Sequence, residues 1–203
     1  MHATAFVPGH VTGFFSTHPD ERPLRAGSRG GGVALSHGVE TTVTDDTGVT
    51  LNGESISVEP VERVLDALDV DLGVACETPL PLGSGFGVSG AMALGTAYVV
   101  SAHTAAGLSE NDLVSLAHRA EVESGTGLGD VVGQARGGIP LRLEPGAPGY
   151  GAMDGGPGGS RVEYLSLGGL ATADVRGGDT APLAVAGGGG RDTCRGTRAR
   201  PSL

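Results

Sequence analysis

Three stretches of the chain have the spacing of apolar residues that is typical of amphipathic helices. Residues 59–71 contain Pro60, which suits a first helical turn, and carry apolar side chains at the i, i+3, i+4 and i+7 positions. A second helix is predicted after the glycine-rich segment 81–90, running to about residue 102. A third begins after Ser109, which forms a capping-box pattern with the acid three residues later, and ends near Glu123.

Short runs in which apolar and polar residues alternate predict β-strands, largely antiparallel and separated by turn residues. The first strand is expected to end at Pro8 and to turn through Gly9, and the polar, glycine-rich stretch 19–32 is predicted to be a loop. The stretches expected to form strands are 3–8, 33–38, 39–46, 48–53, 72–81, 139–145 and 161–168.

The composition changes near residue 145 and predicts the domain organisation. We expect one domain over 1–145, and a linker with the start of a second domain over 146–187. Residues 188–203 are basic and have no hydrophobic periodicity. This tail is expected to be either disordered or an out-of-frame translation of GC-rich DNA, and the chain is expected to be truncated or frameshifted.

Charge and cysteine content exclude several classes of protein. The net charge of −10 argues against a nucleic-acid partner, and two distant cysteines indicate neither a disulfide framework nor a zinc site. The chain has neither a signal sequence nor a long apolar run, so we expect no membrane contact and a cytoplasmic location. All 13 basic residues are arginine, which suits either a salt-rich cytoplasm or a GC-rich genome.

The segment PLGSGFGVSG, residues 81–90, has four interpretations. A Walker A loop needs a lysine, as do protein kinases and Schiff-base enzymes, and this chain has none. A dinucleotide fingerprint fits poorly because prolines stand between the preceding strand and the loop. A serine nucleophile elbow would need a histidine after the triad's acid, and none follows Asp130.

The fourth interpretation is a phosphate cradle that works without lysine. Glycines let backbone N–H groups approach an anion, and the start of the following helix adds its dipole. A serine in the first helical turn can offer a hydroxyl to Mg²⁺. Taken singly, Glu121, Glu123 and Asp130 are better explained as solvated helix charges or a helix cap, but beside a phosphate loop they are favoured to hold the metal or accept a proton.

These motifs resemble those of the GHMP-type small-molecule kinases. PLPLGSGFGVSGA is similar to their second motif, P-x-x-x-G-L-[GS]-S-[SA]-A, and AFVPGHVTGFF occupies the place of their N-terminal APG motif. PGHVTGFF, GSRGGG (27–32) and AEVESGTGLGDV look in particular like the archaeal pantoate kinases. The resemblance implies an α+β fold with a ribosomal-S5-domain-2-like N-terminal domain and the start of a ferredoxin-like second domain.

The same resemblance implies that ATP, with Mg²⁺, phosphorylates pantoate to 4-phosphopantoate in archaeal coenzyme A synthesis. A kinase for homoserine, mevalonate or shikimate, or an inactive nucleotide-binding fragment, is the alternative. The implied partners are the small-molecule substrate and, for assembly, a second copy in a homodimer. The resemblance implies Asp130 as the base, and Ser89 with Glu121 as Mg²⁺ ligands, Glu123 being the lesser choice. The residues implied at the substrate are His10, Ser28, Arg29 and Arg142. Those implied at the nucleotide are Pro81, Gly83, Ser84, Gly85, Gly87, Ser89 and Gly90.

Overall fold

Two long antiparallel strands form the spine of the fold. The computed structural model describes residues 3–164, in which β1 (Thr4–His18) pairs with β2 (Gly27–Thr44) along nearly its whole length. The pairing shifts register twice, between Pro8 and His10 and between Thr12 and Phe14. At the first shift Gly9 of β1 stands against residues 35–37 of β2, and at the second Gly13 is one extra residue in β1; such irregularities bend a strand and change which side chains share a face.

The remaining strands complete a seven-stranded mixed sheet. They are β3 (Gly48–Leu51), β4 (Glu54–Ser55), β5 (Gly73–Glu77), β6 (Ile139–Glu144) and β7 (Ala152–Gly156). The strand order is β4-β3-β5-β2-β6-β7, with β1 on β2. Because β1 occupies one edge of β2, β5 and β6 share the other edge at opposite ends of the strand. Only the β3–β5 pair is parallel within this sheet.

Four helices accompany the sheet within residues 3–164. They are α1 (Glu59–Ala67), α2 (Val88–Thr104), α3 (Glu110–Ser124) and α4 (Asp130–Arg136). α2 is apolar on every side and lies in the middle of the core, packed by the sheet, α1 and α3. Met92, Leu94 and Val100 are completely buried there. None of these helices combines the length and the apolar character needed to cross a lipid bilayer.

The helix predictions agree with the structure to within a few residues. α1, α2 and α3 form where the spacing placed them, and Ser109 makes the expected capping box: its hydroxyl accepts from the Asp112 N–H, and the Asp112 side chain accepts from the Ser109 N–H. Gly125 ends α3 in the left-handed conformation, with φ of 72°. The predicted strands at 72–81 and 139–145 form as β5 and β6.

Three strand predictions were wrong. β1 does not end at Pro8, because its pairing with β2 resumes at His10 after the register shift. The supposed loop 19–32 is strand from Gly27 onward, and the strands expected at 33–38 and 39–46 are one continuous β2. Glycine has a low propensity for strands, but Gly30 allows the backbones of β1 and β2 to approach closely. A Cβ at Gly30 would lie 2.1 Å from the Phe14 carbonyl oxygen.

The stretch after residue 145 also differs from expectation. Residues 152–156, within the linker-like segment, form β7 and pair with β6, so the sheet continues past the proposed boundary. The strand expected at 161–168 is not formed over residues 161–164, and its remainder lies outside the described residues. The tail 188–203 lies outside them as well, and the division into domains stays a prediction.

Candidate active site

A pocket of about 380 Å³ lies where β1, β6, the glycine-rich loop and the start of α4 meet. Its walls are the loop 83–89, the turn 126–130, and the side chains of Thr12, Phe15, Ser28 and Arg142. Two glycine-rich segments that are far apart in the sequence therefore face each other across one cavity. Most of the residues proposed from the sequence line it or lie directly behind it.

The loop 83–87 presents bare backbone to the pocket. Gly83, Gly85 and Gly87 have φ values of 73°, 81° and 63°, a region that residues with side chains rarely adopt. Side chains at Gly83 and Gly85 would meet no other atom within 4 Å, so the space above them is open. Gly87 is the N-cap of α2 and gives the helix no side-chain cap, which leaves first-turn N–H groups available to an anion.

Two of the proposed loop residues lie outside this cradle. Pro81 precedes the lining segment, and Gly90 packs against α4, where a Cβ would lie 3.1 Å from Gln134 Oε1. Gln134 itself was missed by sequence reasoning. Its Nε2 donates to the Gly87 carbonyl oxygen at 2.8 Å, which ties α4 to the end of the loop. The sequence offered only its position, one helical turn after Asp130.

Glu121 lies behind the pocket wall, next to the lining residues Ser89 and Gly127, and is 3% exposed. Its carboxyl group accepts a hydrogen bond from the Ser89 hydroxyl, while Oε1 has no partner within the described part of the chain. Burial raises the pKa of Glu121 to about 7; the Ser89 and Thr126 hydroxyls lower it, and the charge of Asp130 raises it. A Cβ at Gly127 would lie 2.2 Å from Glu121 Oε2, so the second glycine turn must lack a side chain there.

Glu123, two residues later, is not part of the pocket. Its carboxylate pairs with Arg63 at 3.3 Å and with Arg119 at 3.6 Å, on the outer face shared by α1 and α3. The structure therefore separates the two glutamates that the sequence left as neighbours. Glu121 faces inward, toward Ser89, and Glu123 faces solvent.

Asp130 is the first residue of α4, and about a third of its side chain is exposed, at the pocket. Its Oδ1 accepts hydrogen bonds from His10 Nδ1 at 3.0 Å and from the Thr12 hydroxyl at 3.2 Å. The pKa of Asp130 is lowered: the surrounding protein atoms would raise it, but His10, the Arg142 charge and the Thr12 hydroxyl outweigh them. The site therefore holds Asp130 as a carboxylate at neutral pH.

Arg142, on β6, brings a buried positive charge to the pocket wall beside Gly129, with only 4% of the residue exposed. Its Nε donates to the Ser28 hydroxyl at 3.1 Å, and its Nη1 has no partner among residues 3–164. Pairing of β2 with β6 sets Arg142 opposite Gly30, which explains why residues so distant in the sequence meet. Arg29, in contrast, points away from the pocket and pairs with Glu144.

Comparison with known proteins places this arrangement in a family. Residues 57–138 match the GHMP kinases N terminal domain. Pantoate kinase of Thermococcus kodakarensis is 38% identical over 191 residues, covering 86% of this chain and 63% of that protein. Pantoate kinase of Methanocaldococcus jannaschii is 36% identical over 149 residues, covering 70% and 54%. The chain therefore carries a GHMP kinase N-terminal domain.

Solved structures agree with this assignment. A phosphotransferase related to the CoA biosynthesis pathway superposes with a TM-score of 0.71 at 39% identity, covering 76% of this chain and 57% of that one. The mevalonate kinase of Methanococcus jannaschii, at 18% identity and a TM-score of 0.52, shows the shared fold alone. The GHMP kinase fold expected from the motifs is thereby confirmed. The chain spans between about half and just under two thirds of the length of its curated relatives.

Within this GHMP kinase fold, the bulge at Gly13 decides which β1 side chains reach the pocket. Side chains alternate along a strand, so His10 and Thr12 share a face and Phe15 would normally point the other way. The register shift between Thr12 and Phe14 turns Phe15 to the pocket side together with Thr12. Sequence reasoning missed both Thr12 and Phe15, because a bulge depends on the partner strand.

Proposed function

We propose that this protein transfers the γ-phosphoryl group of ATP to the 4-hydroxyl group of pantoate. The observation that carries the proposal is the buried Arg142, which lines the pocket together with the glycine loop and Asp130 and whose Nη1 has no hydrogen-bond partner among residues 3–164. A guanidinium group with an unused N–H is suited to a carboxylate, so the acceptor is a hydroxy acid. The relatives named pantoate kinase narrow that acid to pantoate.

The glycine loop and the start of α2 would bind the phosphates of ATP. Backbone N–H groups of residues 83–89, with the positive end of the helix dipole, supply the attraction that a lysine supplies in other nucleotide loops. Gln134 fixes the loop carbonyl of Gly87 and so keeps those N–H groups in place. Candidate nucleotide contacts are therefore mainly backbone groups.

The residues present fit a Mg²⁺ ion between the phosphates and α3. Residues 3–164 contain no cluster of three or more His, Cys, Asp or Glu side chains placed to hold a metal ion. Mg²⁺ is usually bound by one or two protein oxygens with phosphate and water, and Ser89 Oγ with the unpartnered Oε1 of buried Glu121 provides such a pair. When bound, the ion would neutralise phosphate charge.

The acceptor would lie between Arg142, Ser28 and Asp130, with Phe15 as an apolar wall for the branched carbon of pantoate. The hydroxyl oxygen forms a bond to the γ-phosphorus as the bond from phosphorus to the ADP oxygen breaks. The hydroxyl proton passes to Asp130, which is ionised and therefore able to accept it. Because the phosphotransferase that superposes on this chain is related to the CoA biosynthesis pathway, we place the reaction in coenzyme A synthesis.

The proposal is tested by measuring ADP release from the full chain with ATP and Mg²⁺ in the presence of pantoate, homoserine, mevalonate or shikimate. We expect release to depend on pantoate, with ³¹P NMR showing a new phosphate ester. Arg142→Met should raise the pantoate KM by ~10²-fold, while Arg142→Lys, which keeps the charge but loses the fork, should raise it less. Release that depends on one of the other acceptors, or on none, would contradict the proposal.

A further inference from the structure

His10 is held in a slot made by two glycines. Its side chain is completely buried on β1. A Cβ at Gly32 would lie 2.4 Å from its Nε2, and one at Gly133 would lie 3.2 Å from the same atom. Nε2 therefore faces backbone, and it has no hydrogen-bond partner within residues 3–164. The ring has one position, and it does not line the pocket.

The other ring nitrogen of His10 meets Asp130. Nδ1 lies 3.0 Å from Oδ1, and the Thr12 hydroxyl donates to the same oxygen at 3.2 Å. Both side-chain hydrogen bonds that Asp130 accepts from described residues therefore end on Oδ1. An ionised carboxylate can only accept, so the ring nitrogen facing it must carry the proton.

We propose that His10 is a positioning residue whose Nδ1–H holds Oδ1 of Asp130, so that Oδ2 is the oxygen that takes the proton from the acceptor. This inference rests on the proposed phosphoryl transfer. It assigns His10 a role behind the base in place of the substrate contact considered from the sequence. It also distinguishes the two oxygens of Asp130, one held by the protein and one turned to the reaction.

The physical reason is the freedom of a carboxyl group to rotate about its last bond. A base must lie within hydrogen-bonding reach of the proton it removes, and a misplacement of about 1 Å can cost ~10²-fold in rate. A donor on a strand, packed on both sides of its ring, fixes that rotation more firmly than solvent does. Thr12, two residues along the same strand, supports the same oxygen.

Two variants of His10 distinguish a role in positioning Asp130 from a role in packing alone. In His10→Asn the side-chain amide nitrogen is bonded to Cγ, as Nδ1 is in histidine, so this variant keeps a donor to Oδ1 of Asp130. In His10→Leu the side chain branches at the same carbon but has no donor. We expect kcat of the Leu variant to fall by ~10²-fold with both KM values nearly unchanged, and the Asn variant to recover most of that loss. Both variants lose the same ring, so their thermal stabilities should fall together.

Equal kcat values in the Asn and Leu variants would overturn the inference. A rise in the pantoate KM at constant kcat would also overturn it, because that pattern belongs to a substrate contact. Thr12→Val should give a smaller loss in kcat than His10→Leu, since the bond from His10 remains.

A measurement that needs no activity completes the test. In ¹⁵N-labelled wild-type protein, with the His10 signals assigned by their loss in His10→Asn, we expect the proton on Nδ1. A proton on Nε2 with Nδ1 bare would contradict the proposed bond even if pantoate is phosphorylated. If no acceptor is phosphorylated, the proposed function fails, while the ¹⁵N spectrum still decides whether His10 holds Asp130.

Discussion

Asp130 lines the pocket and Glu121 lies behind it, against Ser89, and their surroundings shift their acidities in opposite directions. Glu121 is enclosed with only hydroxyl donors nearby, and burial raises its pKa to about 7. Asp130 has His10, Thr12 and the charge of Arg142 around it, and these lower its pKa despite the protein atoms packed about it. The first carboxyl group lacks a cation, and the second has one nearby.

This difference in pKa suits the two carboxyl groups to different roles. A carboxylate that is ionised at neutral pH can accept a proton at once, which suits Asp130 to the role of base. A buried carboxyl group without a positive neighbour gains most from an added cation, which suits Glu121 to Mg²⁺. Two acidic residues nine positions apart in sequence are thus distinguished by their neighbours and not by their chemistry.

The largest effect on this contrast is expected from Asp130→Asn. This change keeps the shape and removes the base, so we expect kcat to fall by ~10²–10⁴-fold while ATP affinity stays the same. Steady-state ADP release and nucleotide titration would measure the two quantities. Asp66→Asn, at an exposed position on α1, is the matched control and should leave both unchanged. Undiminished turnover in the Asp130 variant would remove it from the role of base.

A smaller effect is expected from Glu121→Gln. The amide can still accept from Ser89 but binds a cation poorly, so the Mg²⁺ concentration for half-maximal rate should rise by ~10–100-fold. Asp130→Asn should leave that concentration near the wild-type value, provided its residual rate is followed. If the Asp130 variant shifts the Mg²⁺ requirement and the Glu121 variant does not, the two roles are reversed.

The smallest effect concerns stability and pH. The pKa of Glu121 is higher in the folded chain than in the unfolded chain, so its contribution is fully present below about 4.5 and is lost as pH rises through about 7. Burial lowers the pKa of His118, so the contribution of this histidine to the free energy of unfolding increases as pH rises toward 6.5. The difference in melting temperature between the wild type and Glu121→Gln reports the contribution of Glu121 alone. This difference should decrease from pH 4.5 to 7. A constant difference would show that Glu121 has its ordinary pKa.

The helices α1, α2 and α3 and the cluster of Ser89, Glu121 and Asp130 could be predicted because they depend on local signals, whereas the short helix α4 was missed. Apolar spacing placed α1 and α3, and the Ser109 capping box marked where α3 begins. The acidic residues lie at a helix end and just after a second glycine turn, which is how the sequence indicated them. The motif resemblance then gave each residue an expected role.

The long strands and the supporting residues could not be predicted because they depend on partners distant in sequence. Gly9 and Gly30 indicate turns by propensity, but in the sheet the first lies at a register shift between β1 and β2 and the second allows close contact with Phe14. His10 was considered at the substrate, since nothing in its neighbourhood along the chain points to Asp130, 120 positions away. Gln134 was missed for the same reason.

The division of work between the two carboxyl groups can be measured by a ¹³C NMR titration of the side-chain carboxyl carbons of Glu121 and Asp130 in the ligand-free protein, assigned with Glu121→Gln and Asp130→Asn. We predict that Glu121 takes up its proton near pH 7, while Asp130 stays ionised until the pH falls below its ordinary value of 3.8. If both groups titrate at ordinary values, or if Asp130 titrates above Glu121, that division is contradicted.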